Sequence, residues 1–69
     1  MQTMTISTVE AEVQRIAAMV ADDESAHVAE DELHQSVLAY IAEHGDALSA
    51  ALARAALATT EISFSRWCA

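Results

Sequence analysis

His27, Glu30, Asp31 and His34 stand at i, i+3, i+4 and i+7, a spacing that lines four side chains along one flank of a helix. Imidazoles and carboxylates at such intervals are ligands for a divalent cation such as zinc, and Cys68 would add a thiolate if the end of the chain folded back. The pattern lacks a Cys-x-x-Cys frame, and an arc of ionisable groups beside a core is most often a solvated rim. His27, Glu30, Asp31 and His34 are therefore weak metal candidates, and neither a metal nor any other cofactor is assigned. Glu30 falls between Val37 and Ile41 in angle, so its carboxylate is expected to be partly buried and to need partners. The guanidinium of Arg66 and the indole N–H of Trp67 suit that role. Cys68 has no imidazole near it in sequence, and no glycine-rich loop could form an oxyanion hole. With little concave surface on so small a fold, an enzyme is not expected.

The helix that carries this cluster is the clearest in the chain. Leu33, Val37, Tyr40, Ile41 and His44 recur at steps of three and four and share one arc. Gly45 is the expected stop, in the left-handed conformation that closes many helices, and Asp46 is suited to cap the next one. Leu38 lies off the main arc, which points to a core wider than one stripe or to a second surface.

Helices are expected near residues 8–21, 26–44 and 47–59. Ser7 and Glu10 match a capping box for the first, with Val9, Val13, Ile16, Ala17 and Val20 as its apolar stripe and Glu12 with Arg15 as an exposed pair. Asp22, Asp23 and Glu24 suit the start of the second helix, where the helix dipole favours negative charge. Asp22, Asp23 and Ser25 are the alternative caps, with the start placed near Ser25 or Ala26. The third helix is read with Leu48, Ala51, Leu52, Ala55, Ala56 and Thr59 inward and Leu57 turned elsewhere. From Glu61 to Ser65 apolar and polar residues alternate, so residues 61–67 are expected to form an extended arm. The arm either lies across the helices, with Ile62 and Phe64 plugging an open end, or pairs with the same segment of a second chain. The fold class is all-α, a small three-helix bundle with an extended C-terminal arm.

A chain of 69 residues makes a single domain near the lower size limit for a fold without disulfide or metal. Its apolar fraction of 54% is rich in alanine, which favours helix but contributes little on burial. Net charge is −8 and the only cations are Arg15, Arg54 and Arg66. Direct binding to nucleic acid is disfavoured, because it depends on cations that displace counterions from phosphates. Association with anionic membranes is disfavoured for the same reason. No apolar run is long enough to span a bilayer, and the N-terminus lacks the features of a signal peptide, so a cytoplasmic location is expected.

Four segments carry a resemblance. They are His27, Glu30 and Asp31; Val37, Leu38, Ile41 and Ala42; Ala56, Leu57 and Thr59; and a terminal Phe-x-Arg-Trp-Cys-Ala formed by Phe64, Arg66, Trp67, Cys68 and Ala69. In this order they resemble small uncharacterised proteins encoded by tailed phages and actinobacteria. The similarity spans roughly residues 24–69, and its terminal hexapeptide is the most specific part. It implies a small cytoplasmic phage-type protein and carries over no catalytic residue.

The function expected is that of a small acidic protein-binding module that acts stoichiometrically, such as a phage-type modulator of a host protein. Its contact residues would be Asp22, Asp23, Glu24, Leu38, Leu57, Phe64, Arg66 and Trp67, facing a partner with a basic or apolar surface, or a second copy in a homodimer. Six acids among residues 22–32 make a nucleic-acid mimic the first alternative, in which carboxylates stand in for phosphates in a basic groove. The metal module is the second. A docked tail and an exposed tail differ in one measurement: if Trp67 locks the fold, Trp67→Ala should lower stability by roughly 3 kcal/mol. An unchanged thermal melt would show that the tail is free.

Overall fold

The computed structural model describes residues 4–64. It is all-α, with α1 over Ile6–Ala17, α2 over Asp23–His44 and α3 over Ala47–Leu57, then a 3-10 turn, η1, over Ala58–Glu61. There is no strand among the described residues. The chain divides into two compact units, one closing at His34 and the other opening at Gln35, so that the division falls within α2.

In the first unit, α1 begins earlier than residue 8. Its cap is Thr5, in extended conformation. The Thr8 amide donates to Thr5 Oγ1 at 3.1 Å and the Thr5 amide donates to Thr8 Oγ1 at 2.9 Å. This is a reciprocal capping box built from two threonines in place of Ser7 and Glu10. The helix also ends sooner than residue 21. The Met19 amide donates to Ile16 O at 2.8 Å and the Asp22 amide to Met19 O at 2.8 Å, tight i to i+3 turns that bring the chain round to α2. Val9, Glu12, Ile16 and Met19 are the half-covered positions of this segment. The expected stripe is rotated, and Val13 and Val20 are left exposed.

Asp22 caps α2. Its Oδ1 accepts from the Ser25 amide at 3.2 Å, and Ser25 Oγ donates to Oδ2 at 2.9 Å. Asp23 and Glu24 thus occupy the first turn, and the helix starts two residues before Ser25 and three before Ala26, where its start was expected. The extra turn follows from the carboxylate, which satisfies the amide of a residue already inside the helix.

In the second unit, α2 ends at His44 as expected, but by a different device. Gly45 has no positive φ. A Cβ at this position would stand 2.7 Å from the carbonyl oxygen of Ile41 and 3.1 Å from Ile41 Cγ2. Glycine is needed here because backbone meets backbone, not for a left-handed turn. The Gly45 amide donates to Ile41 O at 2.8 Å, and Asp46 Oδ1 then accepts from the Ser49 amide at 2.8 Å to start α3. Arg54 Nη2 donates to Ala42 O at 2.8 Å and so satisfies one of the last carbonyls of α2 with a positive charge.

α3 turns the opposite face inward from the one the leucines suggest. Ala50 and Ala53 are buried and Leu57 is half-buried, while Leu48 is 70% exposed and Leu52 63%. The small side chains of Ala50 and Ala53 let another backbone come close to the middle of this face, while Leu57 sits at its end and is covered only in part. After Leu57 the hydroxyls of Thr59 and Thr60 donate to Ala56 O at 3.3 Å and Leu57 O at 2.7 Å. These bonds draw the chain into the 3-10 turn, so the third helix stops short of residue 59. Glu61 belongs to this turn, and extended backbone begins at Ile62 with φ −84° and ψ 129°. Residues 65–67 of the expected arm lie outside the described residues.

The buried hydrophobic residues are Ala29, Ala50 and Ala53, and no large side chain among the described residues is fully buried. Gly45→Ala is expected to destabilise the protein by about 1–3 kcal/mol, the usual cost of forcing an extra methyl into a filled space. Chemical denaturation would measure it, and an unchanged midpoint would show that the corner yields freely.

Candidate functional site

The four residues with metal-ligand spacing do not converge. His27 Nε2 lies 3.5 Å from Asp31 Oδ2, the pair expected of i and i+4 on a helix. Glu30 and His34 are exposed on α2. Among the described residues no group of three histidines, cysteines or carboxylates is placed to hold a metal ion. Glu30 was expected to be partly buried, and its exposure corrects that. The inward position in this stretch is Ala29, one residue earlier and so about 100° away on the helix, and it sets the face that is covered. Its expected partners Arg66 and Trp67 lie outside the described residues, as does Cys68.

The expected contact residues are dispersed. Asp22 is engaged in the cap, and Asp23 and Glu24 are exposed in the first turn of α2. Leu38 is half-buried, in keeping with a broad inner arc; Leu57, expected to turn away from the inner face of α3, is instead half-buried on it, and Phe64 is 56% exposed. His44 is exposed, with its ring centroid 4.6 Å from that of Tyr40 one turn earlier.

What the first unit does assemble is an open cleft of about 430 Å³ bounded by Arg15, Met19, Glu24, Ser25, Val28, Ala29 and Glu32. Its apolar floor comes from Met19, in the turn after α1, and from Val28 and Ala29 on α2. Val28 is 51% exposed. Glu24, Val28 and Glu32 follow at four-residue steps and so rise along one side of the helix. Arg15 closes the other side. Its Nε donates to Glu12 Oε1 at 3.0 Å and Oε2 at 3.1 Å, and its Nη2 also reaches Oε2.

That fork lowers the pKa of Glu12 and raises that of Arg15, and Glu32 adds a weaker pull on the guanidinium. Arg15 is thereby committed to carboxylates already present. Its Nη1 stands 3.9 Å from the sulfur of Met19, which orients the thioether at the cleft. The rim is thus acidic in balance around an aliphatic floor. Such a surface can receive an aliphatic side chain flanked by cations; the one hydroxyl that lines it, Ser25 Oγ, donates to the Asp22 cap. Sequence reading had Glu12 with Arg15 and noted Glu24, but missed the cleft. Only the turn after α1 brings Arg15 and Met19 beside α2, and no local spacing encodes that.

The helix caps of α2 and α3 set a pH limit on helicity. Hydrogen bonds from Ser25 hold the Asp22 carboxyl below the usual range, and those from Ser49 do the same for Asp46. A carboxyl with a depressed folded-state pKa stabilises above its unfolded value and loses that contribution as pH falls through the folded value. Helicity should therefore decline from about pH 4 downward. Asp22→Asn with Asp46→Asn should flatten that decline in circular dichroism, and an equally steep acid transition in the double variant would assign it to other carboxylates. Compared with family models, curated proteins and solved structures, the chain finds no match, so the reading of this surface rests on its own geometry.

Proposed function

We propose that the protein is a stoichiometric protein-binding module whose contact surface is the cleft between the end of α1 and the start of α2. The observation that carries this reading is the pairing of an apolar floor, half-buried at Met19 and exposed at Val28, with carboxylates at Glu24 and Glu32. The partner is a protein segment that presents an aliphatic side chain between lysines or arginines. Apolar area supplies the affinity, and the charges set orientation and encounter rate. Net charge of −8 favours such a partner at long range. This chemistry also suits a phage-type modulator acting on a basic host surface.

A mixed surface is preferred over a nucleic-acid mimic for a reason in the acids themselves. Asp22 is occupied as a helix cap and Asp31 pairs with His27, so the acidic segment does not present six equivalent charges in a phosphate-like row.

The test compares proteins captured from an extract of the source cell by the intact chain and by a Val28→Lys variant, with mass spectrometry as readout. A specific partner should be retained by the first and lost by the second. Raising salt should weaken retention partially, since an apolar contact survives the screening of its charged rim. Equal capture by both chains would overturn the reading.

A further inference from the structure

α3 carries a second apolar face that its own unit does not cover. At about 100° per residue, the inward stripe of Ala50, Ala53 and Leu57 lies roughly 180° from a stripe of Leu48, Ala51, Leu52 and Ala55. All four residues of that outer stripe are exposed, Leu48 at 70% and Leu52 at 63%. Arg54, the lone charged residue of α3, donates to Ala42 O at 2.8 Å in its own unit. The outer stripe therefore holds no charge. A helix apolar on both sides is stable in water only when both are covered.

We propose that a second copy of this chain covers the outer face, with the two α3 helices antiparallel about a two-fold axis. The order of residue sizes selects this occupant. In a two-fold antiparallel pair centred between Ala51 and Leu52, Leu48 faces Ala55 of the other copy, and Ala51 faces Leu52. Each large side chain meets a small one, as interdigitation requires. A parallel pair would set leucine against leucine and alanine against alanine, which leaves gaps at the alanine level. The alanines allow the axes to approach to about 8 Å, the close end of helix packing. The neutral stripe suits an equally neutral surface, and a basic partner would gain nothing from it. This interface is separate from the cleft at α1 and α2 and does not depend on the partner proposed there.

Two chains of charge −8 repel, so association should strengthen as salt rises, the reverse of the effect expected for a basic partner at the cleft. Sedimentation equilibrium of the full chain should show a monomer–dimer equilibrium that shifts toward dimer with concentration and with salt. Leu48→Lys with Leu52→Lys should weaken it by at least about tenfold while helicity is kept, because both side chains already face solvent. Geometry is read separately, in a Cys68→Ala background. Leu48→Cys with Ala55→Cys should cross-link copies on oxidation, since the two positions in one helix are too far apart to bridge. Leu48→Cys alone should not cross-link. A folded chain that stays monomeric at every concentration and salt would overturn the proposal. So would cross-linking of Leu48→Cys alone as efficient as that of the pair.

Discussion

Burial in this protein is limited by side-chain size. Among the described residues those hidden best are Ala29, Ala50 and Ala53, and the larger apolar side chains stay partly or mostly in water. Alanine brings helix propensity and close backbone approach, but removing its single methyl group from water contributes far less than the roughly 1.5–3 kcal/mol of a buried leucine or isoleucine. The fold must therefore draw on local terms. Each helix start has a side-chain cap, from Thr5, Asp22 and Asp46 in turn. The end of α2 is held by Arg54 on a free carbonyl and by a glycine pressed against Ile41.

That constraint also explains which parts of the architecture could be read from the sequence. The three helices, the α2 terminus at His44 and the Asp46 cap were legible because each rests on local chemistry. The inner face of α3 was not. A hydrophobic pattern weights leucine over alanine, yet close approach favours the smaller residue, and Leu48 and Leu52 were turned outward as a result. Gly45 misled in another way: glycine after a helix suggests a left-handed residue, whereas here the missing Cβ makes room for a carbonyl.

At the candidate site the same division holds. The Glu12–Arg15 pair and the His27–Asp31 pair follow from helical spacing and are present. The cleft itself depends on where the turn at residues 18–22 sends the chain, and that turn contains neither glycine nor proline to announce it. Its cause is the Asp22 carboxylate, which recruits Ser25 for a new helix and so fixes where the preceding one must have ended. Glu30 shows the limit of angle counting from the opposite side. Its place between Val37 and Ile41 on a helical wheel says nothing about whether another element covers that part of α2.

The scarcity of large hidden side chains has a thermodynamic consequence beyond the structure itself. The heat-capacity increment of unfolding scales mainly with newly wetted hydrocarbon, and little hydrocarbon is kept dry among the described residues. The stability curve should accordingly be shallow, the calorimetric peak low and wide, and denaturant sensitivity slight for a chain of this length. Melting should then resemble the gradual loss of capped helices more than the abrupt collapse of a jigsaw interior.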